Sequence, residues 1–161
     1  MTKSINTYGY LFSASSSTLK KAQEEKEGSF YQYMSSLMFS AFTIEAYFNH
    51  IGSQLFECWD DLESIRPTSK LNVISNKIDL TIDKGKRPYQ SLTYLFKFRN
   101  DLAHGKTTFF SSQQDKKEPW WIDFCTENNA KNIKEDIVII IKEINDSSGI
   151  KDPWALNHES Y

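Results

Sequence analysis

The chain has little glycine and less proline, six and four residues respectively in 161. That scarcity of turn-formers argues against a sandwich or barrel of many short strands, which needs frequent punctuation. Cysteine is rarer still. Cys58 and Cys125 have neither metal-ligand spacing nor the look of a disulfide framework, as expected of two reduced thiols in a cytosolic protein. A large charge of one sign is also missing. The net charge of −2 argues against a general binder of nucleic acid, so any contact with phosphates has to come from a local patch. No apolar run approaches the length of a membrane span. The opening residues MTKSINTYGYLF lack a sustained apolar run before a small-residue cleavage site, so no signal peptide is expected. The expectation is a soluble, cytoplasmic protein with no membrane contact.

What is there is ordinary globular material: 39% hydrophobic and 25% charged residues, with aromatics raised to 14%. The length fits one domain spanning 1–161, long enough to bury a core. Residues 1–14 read as an irregular lead-in, after which Ser15–Ser17 offer cap oxygens to a charged helix, LKKAQEEKE. The strongest helical signal follows. Phe30, Met34, Leu37, Ala41, Ile44, Phe48, Ile51 and Leu55 are spaced alternately by four and three. That pattern places one apolar stripe on a helix from about Ser29 to Trp59. A helix starting at Pro67 carries Leu71, Ile74 and Ile78, and Lys84–Pro88 reads as a basic turn. Leu92, Leu95, Phe96, Phe98 and Leu102 mark a further helix that ends at His104, with Gly105 positioned to leave it in a left-handed conformation. Residues 106–126, with KTTFF and PWWIDF around a polar turn, predict a small β-hairpin or an extended excursion. In the last element, Ile133, Ile137, Ile140 and Ile144 share a face from Asn129 to Asp146. The IVIII run within it is compatible with a buried strand, but its polar flanks favour a helix, apolar almost all round. The tail, 147–161, is expected to dock through Trp154. The prediction is an all-α domain, a bundle of four to five helices with its core at about 29–146.

One local constellation could carry chemistry: Arg99-Asn100-Asp101-Leu102-Ala103-His104. Asn100 and His104, four apart, share a helical face, and either Asn100 or Asp101 could orient the imidazole. Such a set suits attack of an RNA 2′-hydroxyl on its neighbouring phosphate. Histidine can take or give the proton near neutral pH, and the arginine fork stabilises charge on the phosphate oxygens. DNA, without the hydroxyl, is excluded. The bland alternative is a histidine that merely complements the helix dipole. One histidine per chain also leaves the second proton-transfer role empty, which a symmetric dimer would fill. Around this centre, Lys84, Lys86, Arg87, Lys97, Arg99 and Lys106 outnumber Asp83 and Asp101. Of these, Lys97, Lys106 and Arg87 are candidate guides for RNA phosphates, or else a solvated face. Trp120, Trp121, Phe109 and Phe110 could stack on bases but more often such aromatics pack. His50 reads as a structural residue, and His158 has no evident partner.

RNDLAH resembles the motif of the HEPN superfamily, an arginine followed by a polar residue, a short spacer and a histidine. The upstream segment AFTIEAYFNHIG resembles the second long helix of small HEPN proteins, with Glu45 and Asn49 interrupting its apolar surface. The resemblance spans about Ser29 to Asp146 and treats 106–126 as an insertion. It implies a helical bundle that dimerises to form a composite active site, and metal-independent endoribonuclease activity without a cofactor. His104 would then be the general acid or base, Arg99 the phosphate-binding group and Asn100 the residue positioning them, with Asp101, Glu45 and Asn49 in support. It further implies a microbial toxin or antiviral effector, with an antitoxin or nucleotidyltransferase-type partner protein. Other members of the superfamily are non-catalytic binding modules for proteins or nucleotides.

Overall fold

The computed structural model describes residues 5–107, 109 and 118–152. Seven helices occur among them: α1 (Thr7–Glu24), α2 (Ser29–Leu55), α3 (Trp59–Leu62), α4 (Pro67–Lys77), α5 (Tyr89–Ala103), α6 (Trp120–Phe124) and α7 (Glu127–Ser148). The described part of the chain is all-helical and contains no strand. No helix among the described residues is long and apolar enough to cross a membrane.

The spine is α2, which touches α1, α3, α4, α5 and α7. Its stripe behaves as the spacing requires: Leu37, Ala41, Ile44, Phe48 and Ile51 are wholly buried, with Phe30, Met34 and Leu55 packed at the margin. The helix stops at Leu55, earlier than the expected Trp59, because Phe56 turns extended. That turn swings Trp59 back under Gly52, where the bare backbone makes room for the indole. On α7 the expected isoleucine face is buried, with Ile141 added. The expectation that this helix is apolar almost all round fails at Ile139, which is exposed.

Three departures have plain physical causes. The first helix begins at Thr7, so residues 7–14 of the expected lead-in are helical and α1 belongs to the core through Tyr8, Leu19 and Ala22. Asn6 caps it, accepting from the Gly9 amide at 3.2 Å. Ser15–Ser17 lie inside the helix. Ser16 donates back to the Phe12 carbonyl, and buried Ser15 bonds Ser36 and Ser40 of α2. The hydroxyls of Ser15 and Ser16 are satisfied in place, so neither has to serve as a cap. Gly105 is not left-handed; α5 ends through the His104 amide on the Asn100 carbonyl, and the left-handed glycine that closes a helix is Gly149 after α7. The third concerns 106–126. The PWWIDF arm of the expected hairpin forms α6, whose Phe124 packs on Phe98 and Trp120. Most of the other arm and the turn (108 and 110–117), together with Trp154 and His158, lie outside the described residues.

Candidate active site

Arg99 and His104 sit at the C-terminal end of α5 and line one cleft of about 760 Å³ with Glu45, Arg66, Lys97 and Asn100. The periodicity of α5 explains the placement. Phe98, Leu95 and Leu92 point into the core, which turns Arg99 to the edge of the buried face and leaves Asn100 and His104 outside it. The imidazole is exposed. Among the described residues it makes no side-chain hydrogen bond, so neither Asn100 nor Asp101 orients it in this arrangement.

Arg99 is held from two sides. One guanidinium nitrogen donates to Asn100 Oδ1 at 2.8 Å, and another donates to Glu45 Oε2 on α2. The pair is only partly open to water, with side-chain exposures of 23% and 22%. Asn49, one turn after Glu45, accepts a 2.8 Å hydrogen bond from Lys70 Nζ of α4, and the same ammonium lies 3.9 Å from Glu45 Oε1. Lys70 is 1% exposed. The structure therefore joins Arg99, Asn100, Glu45 and Asn49 into one network and adds a residue that the sequence reading missed. A lysine in an N-terminal helical turn reads as solvated. The available signal was its position four residues before Ile74, on the buried side of α4.

Asp101 is committed elsewhere. It accepts from the Trp120 indole at 2.6 Å and from Lys97 Nζ at 3.3 Å. The indole hydrogen bond, with Lys97 adding to it, holds the Asp101 carboxyl below the usual carboxylate range, against the opposing effect of burial. Lys97 also covers the Trp120 ring, 3.9 Å from its centroid. These contacts pin α6 to the end of α5. A second hollow of about 630 Å³ lies beside it, lined by His104, Lys106, Trp120 and Trp121. His104, Asn100 and Asp101 border both spaces.

Arg87 sits apart from both. Its guanidinium donates to Asp136 of α7 through Nε at 2.8 Å and Nη2 at 2.9 Å, and buried Asp136 also accepts from Ser91. A planar fork on a buried carboxylate is a structural clamp between α7 and the segment leading into α5, so an RNA-guiding role for Arg87 has no support from its surroundings. His50, read as structural, contacts Asp152 at 3.0 Å through Nε2 and packs on Tyr8. Among the described residues no three His, Cys, Asp or Glu side chains are grouped to hold a metal ion.

No protein family, curated protein or solved structure matches the chain.

Proposed function

We propose that the chain is a metal-independent endoribonuclease of the HEPN type, its helices forming a HEPN-type bundle that works as a homodimer. The observation carrying this reading is that Arg99 and His104 line the same cleft. In the proposed reaction the RNA 2′-hydroxyl oxygen attacks the adjacent phosphorus and the bond to the 5′-oxygen breaks. One His104 takes the hydroxyl proton while His104 of the second copy, protonated, supplies one to the departing oxygen. The products are a 2′,3′-cyclic phosphate and a 5′-hydroxyl end. Arg99 would hold the phosphate oxygens as charge develops on them, aimed by Asn100 and Glu45. Lys97 and Lys106, both exposed, would draw RNA towards the site. In a cell such an activity fits a toxin or antiviral effector restrained by a partner protein.

The test is incubation of purified protein with labelled RNA in excess EDTA, beside His104→Ala and Arg99→Ala. Cleavage by the wild type alone, leaving cyclic phosphate ends, is the expected result. Unchanged cleavage by His104→Ala would remove the assignment. A second reading, a non-catalytic dimer that binds a protein or nucleotide, is favoured by the hydrogen bonds already holding Arg99 to Glu45 and Asn100. It predicts binding without cleavage under any condition.

A further inference from the structure

Lys70 is the most deeply buried cation in the described part of the chain, and the reaction above gives it no role. Its surroundings do. A carboxylate bonded to Arg99 cancels the charge that the arginine needs if it is to attract a phosphodiester. With Glu45 as its only neighbour, the guanidinium would belong to a neutral pair, and an arriving phosphate would meet the Glu45 carboxylate as a like charge. Lys70 alters that balance. The group Arg99–Glu45–Lys70 carries two positive charges and one negative, a net +1 that matches the single negative charge of a phosphodiester. Its ammonium is also under-used: it has three N–H donors, one hydrogen bond at 2.8 Å to Asn49, and only a 3.9 Å approach to Glu45 Oε1. A small rotation of Glu45 would bring that oxygen within hydrogen-bonding distance of Lys70.

We propose that Lys70 is a positioning residue that gives the Glu45–Arg99 pair its net positive charge and receives the Glu45 carboxylate when Arg99 engages a phosphodiester. The proposal rests on Arg99 being the phosphate-binding group. Glu45 is two-faced in this scheme. At rest it aims the guanidinium into the cleft. Once a phosphate arrives, it stays paired, because Lys70 offers it a partner in a site where an unpaired carboxylate would be costly. Asn49 keeps the ammonium at that station by accepting one of its protons, so the two polar residues on the α2 surface have complementary tasks.

Two measurements test this, one of which needs no cleavage. The first is the rate at which phenylglyoxal modifies Arg99, followed by peptide mass mapping. The reagent needs a free guanidine, so Lys70→Met, which leaves Glu45 entirely to Arg99, should slow labelling severalfold. Lys70→Arg should stay near wild type, and Lys70→Met/Glu45→Gln should recover or exceed the wild-type rate. The second is binding of a mixed-sequence RNA oligonucleotide made uncleavable by 2′-fluoro substitution throughout. Lys70→Met should weaken it about tenfold, on the order of one lost charge interaction. The double variant should regain most of that affinity, which a merely structural lysine would not allow. For the wild-type substrate the same loss should appear largely in KM. Labelling of Arg99 unaffected by Lys70→Met would overturn the proposal, as would a double variant no better than the single one. A wild type that neither binds nor cleaves RNA, yet shows the labelling pattern, would remove the ribonuclease reading and leave the Lys70–Glu45–Arg99 relation standing.

Discussion

Gly52→Ala should destabilise the protein, although alanine is the better helix former. In an exposed helix interior the exchange is worth about 1 kcal/mol in favour of alanine. Here the new Cβ would lie 2.3 Å from Cε2 and Cζ2 of Trp59 and 2.4 Å from Cδ2, where carbon atoms in contact sit about 3.5–4.0 Å apart. The ring would have to withdraw by more than about 1 Å. It is 3% exposed and stacked on Phe56, with ring centroids 5.8 Å apart, so it cannot move without opening its own slot. Nor can α2 retreat, because Phe48 and Ile51 beside Gly52 are fully buried. Removing a buried tryptophan costs about 3–5 kcal/mol, and overpacking a filled site typically about 1–3 kcal/mol. Setting the propensity gain against these costs leaves a net loss of about 2 kcal/mol, or roughly 6 °C in Tm for a chain of this size. Urea unfolding followed by circular dichroism measures it. In a Trp59→Ala background the same Gly52→Ala change should become stabilising by about 1 kcal/mol, since the overlap is gone. A Gly52→Ala protein as stable as wild type, or a penalty that persists without Trp59, would refute the packing argument.

Asp136→Ala should cost about 2–3 kcal/mol in the same assay. That is less than a fully buried pair would lose, because Arg87 is half exposed and can turn to water. Thiol chemistry should separate the two cysteines: exposed Cys58 reacts readily with a disulfide reagent at mildly alkaline pH. Cys125, buried with its thiol pushed up to about 11, reacts only when the protein unfolds. Tyr8, Tyr47 and Tyr89 are raised above the ordinary phenol range, first by burial and then by neighbouring groups, chiefly Asp152 for Tyr8 and Glu143 for Tyr89. Their folded values exceed the unfolded value of about 10, so the stability linked to them is complete below that pH and falls as pH rises past it. Phenolate absorbance should therefore show a group of tyrosines that ionises only together with loss of helical signal.

Helical periodicity made α2, α5 and α7 legible, because a stripe repeated over many turns overwhelms local ambiguity. Short-range cues failed where a tertiary partner supplied the missing satisfaction. Ser15 resembled a cap but is a packing residue whose hydroxyl finds Ser36 and Ser40 across the α1–α2 seam. The β-branched and aromatic arm PWWIDF resembled a strand, yet Trp120 and Phe124, four apart, need one helical face to reach Asp101 and Phe98. At the site, Glu45 and Asn49 were legible as polar breaks in an apolar stripe. Their link to Arg99 and Lys70 was only half visible, because Lys70 lies on another helix and nothing near it in sequence announces a counter-ion.

The two arginine clusters show why a carboxylate beside a guanidinium does not by itself identify a site. Arg87 and Arg99 both face acidic partners, and by contact alone they look alike. Charge separates them. Arg87 meets Asp136 through two donors, with Glu135 a further 3.9 Å contact and Ser91 completing the carboxylate. That cluster is neutral or negative and its acceptor is saturated, so an arriving anion finds no excess of positive charge there. Arg99 shares one carboxylate with a second, buried cation and opens on a cleft where Arg66 and Lys97 are matched by Glu63 and Asp101, so the excess there is the one charge that Lys70 adds. A chain seeking only stability would gain little from burying Lys70 there, since a buried charge recovers its desolvation cost only with well-made partners, and this one has a single close hydrogen bond. An excess of positive charge beside an exposed imidazole is what the proposed phosphodiester site would need. The same excess is what Lys70→Met removes while leaving the motif Arg99–His104 untouched.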